Sequence, residues 1–119
     1  MVSDMTTTHR IQQLEHRIDH IKTQLQRLGP MRPGSLSRQY NVCGKTGCRC
    51  KDPRNPQRHG PYYKLSYAHQ GRFSSQFVRR EDLRWVRAEL ANFKRFRKLT
   101  ADWVSLSLQV AKAKRAKAG

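Results

Sequence analysis

The chain has 119 residues, a length for one domain with an extension, and 36% of them are hydrophobic. Lys and Arg number 25 against 8 Asp and Glu, a formal charge of +17, so the compact chain repels itself and calls for a polyanionic partner. No apolar run approaches the ~20 residues of a membrane span, and the N-terminus lacks the continuous apolar segment of a secretory signal, which argues against a membrane or an export pathway.

The charge divides the chain into three predicted regions. Residues 1–29 carry a net +1, residues 30–80 a net +10, and residues 81–119 a net +6. The middle region holds eleven basic residues against one acid, Asp52.

Residues 1–29 predict a coiled-coil-like helix. Ile11, Leu14, Ile18, Ile21, Leu25 and Leu28 recur at steps of 3, 4, 3, 4 and 3, a heptad seam. Thr6 to Thr8 offer caps at its start, and Gly29-Pro30 stops it. Such a seam must be covered. Its partner is the C-terminal helix of the same chain, a second copy in a homodimer, or a larger protein.

The stretch "GPMRPGS" reads as a linker. All three cysteines follow within eight residues, as Cys43-x4-Cys48-x-Cys50, and eight further residues separate Cys50 from His59. Without export, close thiols bind metal or do chemistry more often than they form disulfides. Structural zinc takes four N or S ligands in a tetrahedron. Cys43, Cys48, Cys50 and His59 supply that set, with His69 as the other histidine in reach. Lys45, Arg49 and Lys51 favour the thiolate, the species that binds metal. Gly44 and Gly47 let the knuckle turn. The Cys48-x-Cys50 step is tighter than C-x2-C, and the pattern misses the plant-type iron–sulfur spacing by one residue and a fourth cysteine. The other readings are unliganded thiols or a catalytic cysteine, for which the region offers only Asp52 as an orienting acid.

Next, "GPYYKLSYAHQGRFSSQFVRREDL" predicts a β-hairpin turning at His69-Gln70-Gly71. Alternation assigns Tyr63, Leu65, Tyr67, Phe73 and Phe77 to an apolar face. It assigns Lys64, Ser66, Arg72, Ser74 and Gln76 to a polar one. Residues 81–119 predict a long helix with a basic tail. Glu81 and Asp82 favour its start. Leu83, Val86, Leu90 and Phe93 form one stripe, which Phe96, Leu99, Trp103, Leu106 and Val110 continue after a register slip that predicts a bend or break. The hairpin's apolar face is expected to pack on Leu83, Val86, Leu90 and Phe93.

Basic residues surround the knuckle and hairpin: Arg38, Lys45, Arg49, Lys51, Arg54, Arg58, Lys64, Arg72, Arg79 and Arg80, with Arg32 ahead of them. Such a cluster neutralises phosphates. Lys64, Ser66, Arg72, Ser74 and Gln76 are residue types that contact base edges, and a two-stranded ribbon fits a DNA major groove. Tyr62 would instead stack on an unpaired base, which suits single strands or RNA.

The run from "MRPGSLSRQYNVCGKTGCRC" through "RHGPYY" to "NFKRFRKLTADW" resembles a family of small uncharacterised bacterial proteins. They share a G-S-L-S-x-x-Y lead, a C-G-K-x-x-C-x-C knuckle and H-G-P-Y-Y. The resemblance covers roughly residues 31 to 103 and implies a gene often placed near transposable elements.

These readings predict an α+β protein with a heptad helix, a zinc-knuckle loop, a β-hairpin or small antiparallel sheet, and a long C-terminal helix. The expected function is non-enzymatic binding of nucleic acid, DNA ahead of RNA, as an accessory or regulatory factor of a mobile element. It would act in the bacterial cytoplasm, on the nucleoid. An adaptor for a recombinase, nuclease or ribonucleoprotein is the alternative.

Overall fold

The computed structural model describes residues 2–118, with side chains from Met5 onward. Helix α1 spans Val2–Gln26, strands β1, β2 and β3 span Ser35–Asn41, His59–His69 and Arg72–Val78, and helix α2 spans Leu83–Ala118. The fold is α+β. Contacts divide the chain into two compact units, one joining Met1–Pro30 with Asn92–Gly119 and the other comprising Met31–Ala91.

The first unit is an antiparallel helix pair. The seam residues Ile11, Leu14, Ile18 and Ile21 are buried together with Leu99, Leu106 and Val110, and Leu25, Leu28 and Trp103 pack around them. The heptad seam therefore finds its cover within its own chain. Each such side chain, fully buried, contributes about 1.5–3 kcal/mol from removal of apolar surface from water. Polar contacts also cross the pair. Thr8 accepts a hydrogen bond from Lys117 at 2.8 Å, Glu15 pairs with Lys114 at 3.7 Å, and the Lys22 ammonium lies 5.2 Å from the Trp103 ring.

Both ends of α1 differ from the prediction. The helix begins at Val2, ahead of the Thr6–Thr8 caps, because no glycine or proline interrupts residues 2–26. It ends at Gln26, three residues before Gly29. The next two amides tighten the final turn, Arg27 N–H donating to the Gln24 carbonyl and Leu28 N–H to that of Leu25, each at 3.2 Å. Helix α2 starts after a short 3-10 turn, Arg80–Asp82, that holds Glu81 and Asp82. It runs unbroken through the register slip. Phe96, predicted in the buried stripe, is instead 37% exposed, and burial resumes at Leu99. Two steps of three in succession carry a side chain off a 3.6-residue stripe. The slip lies within the helical unit, which takes up α2 from Asn92 onward.

The second unit is built on a three-stranded antiparallel sheet in the order β1-β2-β3. The prediction gives no strand over β1, "SLSRQYN", of which only Ser35 lies in the stretch that reads as a linker. β1 pairs with β2 from Ser35↔Ser66 to Asn41↔His59, with an irregularity between Gln39 and Asn41. At Gly60 the two strands come close. Its φ is 132°, and a Cβ there would sit 2.8 Å from the Gln39 carbonyl oxygen, so only glycine fits.

The β2–β3 turn corrects the predicted faces. Gln70 (φ 50°) and Gly71 (φ 76°) form a two-residue connection of the type I′ kind, so His69 pairs with Arg72. The prediction placed His69 in the loop. Moving it into the strand shifts the pairing by one residue and reverses every side chain of β3 relative to β2. Leu65 therefore sits opposite Gln76, Tyr67 opposite Ser74, and Tyr63 opposite Val78. Phe77 sits opposite Lys64 and Phe73 opposite Ala68, on the other face.

The Leu65 face is the covered one. Leu65 is fully buried, and Leu83 and Val86 of α2 are buried in the same unit. The Arg87 guanidinium lies 5.8 Å from the Tyr63 ring, and Gln76, Val78, Val86 and Glu89 line one cleft. Phe93, predicted to pack with Leu83 and Val86, belongs to the helical unit. Arg32 ties the entry of the unit to its exit. Its backbone N–H donates to the Glu89 carbonyl, and its side chain pairs with the Glu89 carboxylate at 2.8 Å.

The register makes a stability prediction. Leu65→Ala should cost about 2–5 kcal/mol through lost burial and a residual cavity. Phe73→Ala should stay within about 0.5 kcal/mol, as an exposed substitution does. Urea unfolding followed by circular dichroism compares the two. Equal costs would return Phe73 to the buried face.

Candidate metal centre and basic surface

The loop between β1 and β2 gathers all four predicted metal ligands. Cys43 lies two residues past β1, Cys48 and Cys50 flank the start of a 3-10 turn at Arg49–Lys51, and His59 opens β2. The turn is held by its own backbone. Lys51 N–H donates to the Cys48 carbonyl at 3.0 Å, and the Arg49 carbonyl accepts from Asp52 at 3.2 Å and from Gln57 at 2.9 Å. Gly47 turns with φ 79°, whereas Gly44 has no positive φ. The turn brings Cys48 and Cys50 to one centre although a single residue separates them.

The ligand atoms of Cys43, Cys48, Cys50 and His59 all lie within 4.8 Å of one another. Cys43 Sγ is 3.6 Å from Cys50 Sγ, and Cys48 Sγ is 3.2 Å from His59 Nε2. A tetrahedral ion with metal–sulfur bonds of about 2.3 Å has sulfur–sulfur edges of about 3.7 Å. The donor set and its spacing are compatible with a metal site. Cys50 is 2% exposed, and the Cys43 N–H donates to its Sγ at 3.3 Å. The backbone N–H of Cys50 holds the Cys48 thiol down at about 6, with hydrogen bonds from Cys43 and Cys50 side chains assisting, while burial pushes the Cys50 thiol up. The site thus favours at least one thiolate at neutral pH. His69 lies at the hairpin tip, paired with Arg72, and is not among the clustered ligands.

The predicted nucleic-acid residues fall into three groups. Lys45, Arg49, Lys51, Arg54 and Arg58 are exposed on the same loop as the cysteines. Tyr62, Lys64 and Ser66 share one sheet face. Arg38, Arg72, Ser74 and Gln76 lie on the opposite, Leu65 face, which corrects the predicted single polar face for the reason of register given above. Arg79 and Arg80 follow β3, and Arg79 is engaged by Asp82 at 2.9 Å and by Glu81 at 3.9 Å.

Alternation missed two exposed rings. Phe73 and Phe77 are 74% and 65% exposed on the face opposite Leu65, beside Tyr62 at 42%. The signal was the dipeptide Gln70-Gly71, a two-residue turn pattern that would have set the register.

The cluster predicts one bound ion per chain when the protein is prepared without chelator, read by elemental analysis. Cys50→Ser and His59→Ala should each lower that content, and free-thiol titration of the parent should rise on adding chelator. A parent with three freely reactive thiols and no metal would remove the centre.

Among the described residues no helix is long and apolar enough to cross a membrane. No curated protein and no solved structure matches the chain. A family model described as a domain of unknown function, DUF6788, matches residues 11–88. That span takes in the heptad seam, the cysteine cluster, the whole sheet and the start of α2, and the protein belongs to this family.

Proposed function

We propose that the protein is a non-enzymatic nucleic-acid-binding module whose basic loop is held in shape by a structural zinc ion. The observation that carries this reading is the charge of the Met31–Ala91 unit. It has thirteen basic residues and four acidic ones, a net +9. All four carboxylates are already engaged. Asp52 accepts from the Arg54 N–H, Glu89 pairs with Arg32, and Glu81 and Asp82 pair with Arg79. Among the described residues no carboxylate pairs with Lys45, Arg49, Lys51, Arg58, Lys64 or Arg80. Such cations bind polyanions through release of condensed counterions.

Zinc suits three thiolates and an imidazole in a tetrahedron, and it has no redox chemistry of its own. The centre joins the end of β1 to the start of β2 across a loop with little apolar residue content. Small segments of this kind gain their order from such a ligand. A role beside a mobile element is carried by the family resemblance, and the binding by the charge.

The test is affinity against salt for duplex DNA, single-stranded DNA and RNA. At least one should bind with log K falling linearly in log salt, at a slope of about −0.7 to −0.9 per phosphate neutralised. Weak binding to all three with a flat salt dependence would falsify the reading. Zinc removal should weaken binding together with loss of loop order, and zinc but not magnesium should restore both.

A further inference from the structure

Resting on the nucleic-acid reading above, we propose that the open face of the sheet is a stacking platform for unpaired bases, so that the ligand is single-stranded nucleic acid. Antiparallel sheets ordinarily turn polar side chains to water on their uncovered face. This sheet instead turns out Tyr62, Phe73 and Phe77, the two phenylalanines mostly exposed. Two of the three rings brace each other. Tyr62 and Phe77 meet edge to face, centroids 6.3 Å apart at 68°. Phe73 and Phe77 stand four residues apart on β3, about 13 Å along the strand.

The surroundings suit flat rings over flat rings. Ala68 stands opposite Phe73, and Ser66 opposite Ser75. These side chains are too small to obstruct a base lying over the phenylalanines. Lys64 stands directly opposite Phe77, a cation beside the ring where a backbone phosphate would run. The three strands contain no Asp or Glu, so nothing on the platform repels a phosphate. At one end of it, Arg58 precedes β2 and Arg80 follows β3.

Charge selects this occupant over a second copy of the chain. Two units of net +9 meeting face to face would repel, whereas a nucleic acid brings both the anion and the apolar ring. A duplex keeps its base faces stacked inside, and an unpaired strand offers them. Sheet aromatics stacking two or three bases are a known solution for single-strand recognition.

The experiment uses the full chain and short unstructured probes, oligothymidylate and oligouridylate, beside a mixed-sequence duplex. Phe73→Ala and Phe77→Ala should each weaken single-strand binding on the order of tenfold or more. Duplex affinity and the salt slope should hold, because the rings carry no charge. Phe77→Tyr should keep the affinity, while Phe77→Leu, apolar without a ring face, should lose it. Both positions are exposed, so thermal melting will show the variants folded.

Single-strand affinity unchanged in both alanine variants overturns the platform and leaves the nucleic-acid reading standing. A parent that binds none of the probes removes both. A parent that sediments as a dimer, with alanine variants that sediment as monomers and bind as the parent does, assigns the face to a second copy and overturns the platform.

Discussion

The two-residue turn at Gln70–Gly71 decides what each face of the sheet can do. Positive φ at both residues forces His69 opposite Arg72, and from there the pairing runs without choice to Tyr63 and Val78. One residue more in that turn would send Phe73 and Phe77 to the Leu65 side and bring Arg72, Ser74 and Gln76 to the open side. The sheet would then present a charged ribbon for a groove. With the turn as it is, the covered face takes Leu65 and the α2 contacts, and the open face takes the rings.

The metal cluster depends on the same sheet from its other end. His59 is the first residue of β2 and pairs with Asn41, two residues before Cys43. The β1–β2 ladder therefore brings the first and last ligands close before any ion binds. The 3-10 turn supplies the two middle sulfurs, with Cys50 buried and its neighbour Arg49 exposed. Alternating ligands and cations along "CGKTGCRCK" put thiols inward and charge outward on one short loop. A staple there orders the cations without adding an acid to the surface.

The helices were legible because their period is strong. The 3-4 spacing of Ile11 to Leu28 is met by Leu99, Leu106 and Val110, the part of the α2 stripe that resumes after the slip at Phe96. The cluster of Cys43, Cys48, Cys50 and His59 was legible because only one histidine stands close behind the cysteines. β1 was not, because "SLSRQYN" has a single aliphatic residue, Leu36, and follows two prolines; its strand conformation comes from pairing with β2. The faces of β3 were not, because alternation gives a strand two faces and leaves the turn to say which is which. His69 has no local propensity that separates strand from loop, so that decision fell to Gln70 and Gly71 after it.

The Arg32–Glu89 pair brings residues 57 apart to the same point, at the entry and exit of the Met31–Ala91 unit. The Met31–Ala91 unit is thus tied off at its base, its two ends held to each other by one ion pair. Segments whose ends adjoin tolerate changes of loop length between them, because the ends keep their spacing whatever lies in between.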